Sequence, residues 1–210
     1  MTPKSYFDDA WQRADLFATL HAYVINNVAA VIQPDELLRA EWAMRVSALD
    51  LYIHEVVSQN LLKIFQGHRP VCPGYSKFQI SSDTLMRIHA SGPGLTSDAA
   101  FDLEVRTKLA RVTYQFPDDI ADGIRMVSTI ELWNEIAKHH GALPAAVKGE
   151  AGILRGELTQ IVNRRNKIVH EGDLQPSIPR MPWPITRPDV DHVKTTIERI
   201  VGGVEAKVQN

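Results

Sequence analysis

One helical segment of this chain ends in Arg165, Asn166, Lys167, Ile168, Val169 and His170, a set of side chains suited to work on phosphates. At about 100° per residue, Leu154, Leu158, Ile161, Val162, Ile168 and Val169 form one apolar stripe, and Arg165 falls in its middle. A guanidinium in a core-facing position is costly unless paired. Arg165 therefore either meets a buried carboxylate or faces a place where an anion arrives. Asn163, Asn166 and His170 share the adjoining polar face, with Asn166 and His170 one turn apart. Gly172 is a natural residue to end the helix, which puts His170 in the last turn, where the dipole favours an imidazolium. A fixed cation, a proton carrier and nearby amides suit cleavage of an RNA phosphodiester. There the 2′-hydroxyl attacks its own phosphate, and a protein has to move protons and stabilise a pentacoordinate dianion. That chemistry calls for no metal and no cofactor. The bland alternative makes Arg165 an ordinary buried ion pair and His170 a helix-capping histidine.

Other spacings carry less. Arg187 and His192 repeat the interval of Arg165 and His170, but Pro188 and Asp189 place them at a helix start, so that repeat is read as coincidence. Asp50 and His54 lie one turn apart, either as a supporting pair that orients the site, with Asp50 taking His54 or Arg165, or as a plain intrahelical pair. His68 and Cys72 lack the second pair of ligands that a zinc site needs. Trp11, Trp42 and Trp133 sit in apolar stripes and read as core. Trp183 reads as a packing anchor, with base stacking as the other use of an indole.

The elements that position these groups are helical. Trp11, Leu16, Phe17, Leu20, Val24, Val28 and Val31 are spaced for a first helix from Ser5 to about Ile32, broken by Pro34. Asp35 opens a long second helix whose stripe runs through Leu38, Trp42, Val46, Leu49, Ile53, Val56 and Ile64, with a further apolar patch at Met44 and Leu51 that suggests two packing partners. Gly67 ends it. A loop-rich insertion over about 67–97 holds a short helical stretch from Asp83 to Ala90. Helices are then expected from Ala99 to about Gln115, capped by Ser97 or Asp98, from Pro117, from Ser128 through ELWNEIAKHH, and from Gly149 to His170. Pro176, Pro179, Pro182, Pro184 and Pro188 stiffen an extended strap over about 174–188. Asp189 caps a last helix that ends at Gly202 and Gly203. No alternating run is long enough for a sheet, so the chain reads as all-α and as one domain over 1–210.

Of the 210 residues, 44% are apolar and 23% charged, enough to bury a core without staples. No apolar run reaches membrane length, the N-terminus lacks a signal-peptide pattern, and the single Cys72 excludes an internal disulfide, so a cytoplasmic protein is expected. Net charge is −2, so any contact with RNA must come from a local cationic cluster.

RNKIVH resembles the motif of HEPN domains, in which Arg, a polar residue and three further residues precede a His. SALDLYIHEVV on the second helix, and IVNRRNKIVHEGD followed by a strap containing Pro-Ile, are similar to the RiboL-PSP-HEPN branch. The resemblance runs from the second helix onward. It implies an all-α bundle that pairs as a homodimer and brings two motifs together. It also implies a metal-independent endoribonuclease in a toxin–antitoxin or antiviral setting, with an antitoxin or operon partner; some HEPN proteins are instead non-catalytic dimerisation or RNA-binding modules. By the same resemblance Arg165 binds and stabilises the phosphate, His170 transfers protons, Asn166 holds the His or a phosphate oxygen, Asp50 and His54 support the site, and Arg164 and Lys167 bind RNA. Pairing would double Arg164, Arg165 and Lys167 in one groove and offset the negative net charge. The tyrosine that accepts a nucleotide in related toxins is replaced here by Gly172, so the resemblance does not extend to that modification.

Overall fold

The computed structural model describes residues 1–28, 34–90 and 96–209, and among these there are eight α-helices and no strand. Helix α1 (Pro3–Asn27) begins where the Thr2 hydroxyl accepts from the Ser5 amide and Pro3 occupies the first position. Val31 and Ile32, expected at its end, lie outside the described residues. The core side of α1 also differs from expectation. Phe7, Ala10, Trp11, Ala14 and His21 are buried, whereas Leu16, Leu20 and Val28 are exposed. The alanines permit the close approach of α1 to α2 (Asp35–Phe65), and that approach selects the small-residue face over the leucine face.

Helix α2 is the spine. Leu38, Trp42, Val46, Leu49, Tyr52, Ile53, Val56, Val57 and Leu61 are buried over about half of its circumference, and Glu41, Ala48, Glu55 and Ser58 extend burial beyond it, a wider face than the stripe of a surface helix. It packs not on two partners but on α1, α4 (Ser97–Leu109), α5 (Pro117–Arg125), α7 (Val147–Glu171) and α8 (Arg187–Val204). Each fully buried aliphatic side chain there contributes about 1.5–3 kcal/mol by leaving water. Gly67, at φ +75°, turns the chain out of α2. The following segment holds a 3-10 turn at Tyr75–Lys77 and α3 (Ser82–His89), which packs on α4.

Thr96, rather than Ser97 or Asp98, caps α4. The helix stops at Leu109, short of Gln115, because Asp50 on α2 takes the Tyr114 amide at 2.6 Å and the Gln115 side chain at 3.1 Å and holds that stretch extended. Helix α6 is Leu132–His139, and Trp133 fixes its start by donating to the Pro117 carbonyl. Thr186 and Asp189 form a reciprocal capping box at the start of α8. That helix runs through Gly202 and Gly203, where it was expected to end. A Cβ at Gly203 would lie 2.8 Å from Ile136, so a residue without a side chain lets α8 cross α6. A π-helical turn, Glu205–Gln209, follows, and Glu205 accepts from the Tyr52 hydroxyl at 2.6 Å.

A buried charge network ties the two ends of the chain to α2. Arg45 is fully enclosed, stacks over Trp11, and donates to Glu41, Asp15 and the Trp11 carbonyl. Glu41, equally enclosed, also receives Arg187. Such a pair is tolerated in a core because its polar atoms are matched. No described helix is long and apolar enough to cross a membrane.

Candidate functional site

Helix α7 delivers the motif. Val147, Ala151, Leu154, Leu158, Ile161 and Val162 anchor its inner face, and Trp42 of α2 donates to the Ile161 carbonyl at 3.0 Å, fixing the helix one turn before Arg165. Gly172, at φ +67°, closes the helix as expected, so His170 stands in the last turn and is exposed.

The two adjacent arginines do different things. Arg164 reaches Asp173 Oδ2 at 3.1 Å and the Pro184 carbonyl at 2.7 Å, and lies over the Trp42 ring. Asp173 is fully buried, with a left-handed backbone, and the same oxygen receives Arg39 Nε at 3.1 Å. Arg39 also donates to the Trp183 carbonyl. Arg164 therefore ties the end of α7 to the strap as a scaffold cation. Lys167, exposed on the same side of α7, is the cation that faces solvent.

Arg165 is half-buried and has no carboxylate within ion-pairing distance among the described residues. Its Nη1 donates to Asn166 Oδ1 at 3.0 Å, and its Nε is shielded from solvent without a partner. Asn166, expected to hold His170 or a phosphate oxygen, thus orients Arg165 through its amide oxygen. Five residues at about 100° each separate Arg165 from His170 by about 140° around the helix. Consistent with that angle, no hydrogen bond joins them.

Asp50 and His54 form their pair, with His54 Nε2 3.5 Å from Asp50 Oδ1, but they do not support the motif. Asp50 anchors the segment between α4 and α5, and His54 rests against the Tyr114 ring at 4.7 Å. Burial alone would raise the Asp50 pKa. His54, Gln115 and the Tyr114 amide outweigh that and hold it below its ordinary value. Burial, with the charge of Asp50 nearby, pushes Tyr114 up to about 12. Arg187 is committed to Glu41 and Asp191, away from any catalytic pattern with the exposed His192. Cys72 is buried with its thiol toward the Met126 carbonyl, and His68 is exposed.

The strap is not stretched out. It doubles back, with Gln175 donating to the Met181 carbonyl and Trp183 to the Asp173 carbonyl, so that Ile178 projects at the tip. This fold-back places Trp183 beside Gln160, Asn163, Arg164, Lys167 and Asp173 around a cavity of about 260 Å³. Trp183 is accordingly half-exposed at a cavity wall instead of a packed anchor. Comparison with protein-family models, curated proteins and solved structures finds no match to this chain.

Proposed function

We propose that this chain is a metal-independent endoribonuclease of HEPN type, acting as a homodimer on single-stranded RNA. The observation that carries the reading is the state of Arg165: a half-buried guanidinium, one nitrogen shielded and unpartnered, its side-chain partner among the described residues the neutral amide of Asn166 alone. A partly desolvated cation without a counter-ion gains most when an anion reaches it, and a phosphate accepting from a guanidinium supplies that anion. The neighbouring Arg164, whose Nη2 meets both the Asp173 carboxylate and the Pro184 carbonyl, shows the counter-ion a structural arginine takes in the same helix. The resemblance of Arg165 to His170 to the HEPN motif points to the same chemistry.

In the proposed reaction the 2′-oxygen of the RNA forms a bond to the adjacent phosphorus and the bond from phosphorus to the 5′-oxygen breaks. The products are a 2′,3′-cyclic phosphate and a free 5′-hydroxyl. Arg165 stabilises the charge on the phosphoryl oxygens, Asn166 positions Arg165, and His170 moves a proton between the entering and leaving oxygens. Because Arg165 and His170 diverge around α7, each site takes its Arg from one protomer and its His from the partner. Exposed Val169, Ile178 and Met181 around the end of α7 suit burial against a second copy.

The test is incubation of the purified protein with labelled RNA in EDTA. Cleavage to cyclic-phosphate ends, lost in Arg165→Ala and in His170→Ala and blocked by a 2′-deoxy residue at the scissile position, is expected. Cleavage of the deoxy substrate, or cleavage surviving both substitutions, removes the motif from the mechanism. Folded, dimeric protein that binds RNA without cutting it would favour the non-catalytic module. Growth arrest on expression, relieved by the same two substitutions, is the expected cellular counterpart of a toxin or defence role.

A further inference from the structure

We infer that the cavity between the end of α7 and the folded-back strap is a nucleobase subsite, which seats one base of the RNA beside His170 and gives cleavage a sequence preference. The inference rests on the ribonuclease reading for its role, though not for its binding chemistry. Trp11, Trp42 and Trp133 are 6–8% exposed, whereas Trp183 is 40% exposed and lines the cavity, an aromatic face placed where a flat heterocycle can stack. Gln160 and Asn163, also in the lining, make no side-chain hydrogen bond among the described residues. Each offers a donor and an acceptor, which is what reading the edge of a base requires.

Asp173 decides the kind of ligand. It lines the cavity and is 0% exposed; one carboxylate oxygen is taken by Arg39 and Arg164, and the other has no partner among the described residues. Arg164, which also lines the cavity, has its Nε likewise unfilled. A lining with one vacant acceptor and one vacant donor matches a base that carries both, whereas a phosphate dianion has only acceptors and leaves the carboxylate oxygen unserved. An exocyclic amino group fits the carboxylate, so guanine, adenine and cytosine are favoured over uracil.

The register of α7 links the cavity to the motif. Asn163, Lys167 and His170 follow one another at helical spacing on one face, about 10 Å from first to last. A base between Trp183 and Asn163 directs its sugar and phosphate over Lys167 toward His170.

The test is a fluorescence titration of the full-length protein with GMP, AMP, CMP, UMP and inorganic phosphate, each alone, in the wild type and in Trp183→Phe, which keeps the three buried tryptophans. Saturable quenching by the amino-bearing nucleotides, absent from Trp183→Phe and at least roughly tenfold weaker in affinity for UMP, is expected. Calorimetry with Trp183→Ala and Asn163→Ala, both of solvent-accessible side chains, should show the same nucleotides bound more weakly while the far-ultraviolet circular dichroism is unchanged. Equal response to phosphate alone, quenching that persists in Trp183→Phe, or no response to any nucleotide would overturn the subsite. RNA cleavage that depends on Arg165 while Trp183→Ala keeps the wild-type sequence preference would overturn it too, leaving the ribonuclease reading standing. Nucleotide binding by a protein that cuts no RNA supports the subsite and removes the ribonuclease reading instead.

Discussion

Arg164 Nη2 lies 3.1 Å from Oδ2 of the fully buried Asp173, and this contact separates two arginines that are neighbours in the chain. Asp173 needs the pair because a carboxylate without water must be matched. It gains Arg39 and Arg164, and the strap closes over them. Arg165 takes no part in that arrangement.

The two arginines should therefore separate in mutagenesis. Arg164→Ala leaves Asp173 with Arg39 alone and loosens the strap, a loss of about 1–3 kcal/mol that thermal unfolding reads directly. Arg165→Ala removes a cation that is already short of partners, so the unfolding midpoint should stay close to wild type while RNA cleavage disappears. A large destabilisation by Arg165→Ala would mean that its guanidinium is structural after all.

Arg187→Ala should behave as a core lesion. Glu41 is fully enclosed and keeps only Arg45 once Arg187 is gone, so a loss of about 1–3 kcal/mol is expected, with cleavage per folded molecule unchanged. His192→Ala should change neither stability nor activity. A specific loss of activity in either variant at full folding would show that the wrong Arg and His were assigned.

Acid should weaken the anchoring of the α4–α5 connection. Asp50 is held below its ordinary pKa despite burial, and so is Glu55, where burial is outweighed by Arg106 and Gln59. For a carboxylate lowered in the folded state, the stabilisation is complete above the unfolded pKa, about 4, and is lost as pH falls through the lower folded value. The unfolding midpoint should drop below about pH 4, and Asp50→Asn should flatten part of that slope. An identical pH profile in Asp50→Asn would remove Asp50 from the acid response.

What the sequence made legible follows from where its information lies. The apolar spacing of Leu154, Leu158, Ile161 and Val162 and the position of Gly172 are local, and so were enough to place α7, its end and the odd location of Arg165. Asp173 could not be read, since its partner Arg39, which also donates to the Trp183 carbonyl, stands across the fold, 134 residues away in the chain. Leu16 and Leu20 misled for another reason: periodicity identifies a helix, but the alanine face of α1 packs more closely on α2 than the leucine face can. The one-turn pair of Asp50 with His54 is visible in sequence, whereas the bonds of Asp50 to Tyr114 and Gln115, 64 and 65 residues away, are not.

A site shared between protomers has a consequence in mixed dimers. About 140° of helix separates Arg165 from His170. A single α7 cannot readily turn both toward one phosphate, while two copies related by a two-fold axis can each lend one. In a dimer of an Arg165→Ala chain with a His170→Ala chain, one of the two sites then holds both lesions and the other holds none. Random mixing of the two inactive proteins should restore roughly a quarter of wild-type activity, since half of the dimers are mixed and each carries one intact site. The control places both lesions on one chain and mixes it with wild type. Every mixed dimer then has one lesion in each site, so activity should come only from the wild-type dimers in the mixture. Sites built within single chains give the reverse pattern: no recovery from the first mixture, and one working site in every mixed dimer of the second. The measurement is cleavage rate against mixing ratio after exchange of subunits, and the two curves differ in which mixture contains active mixed dimers.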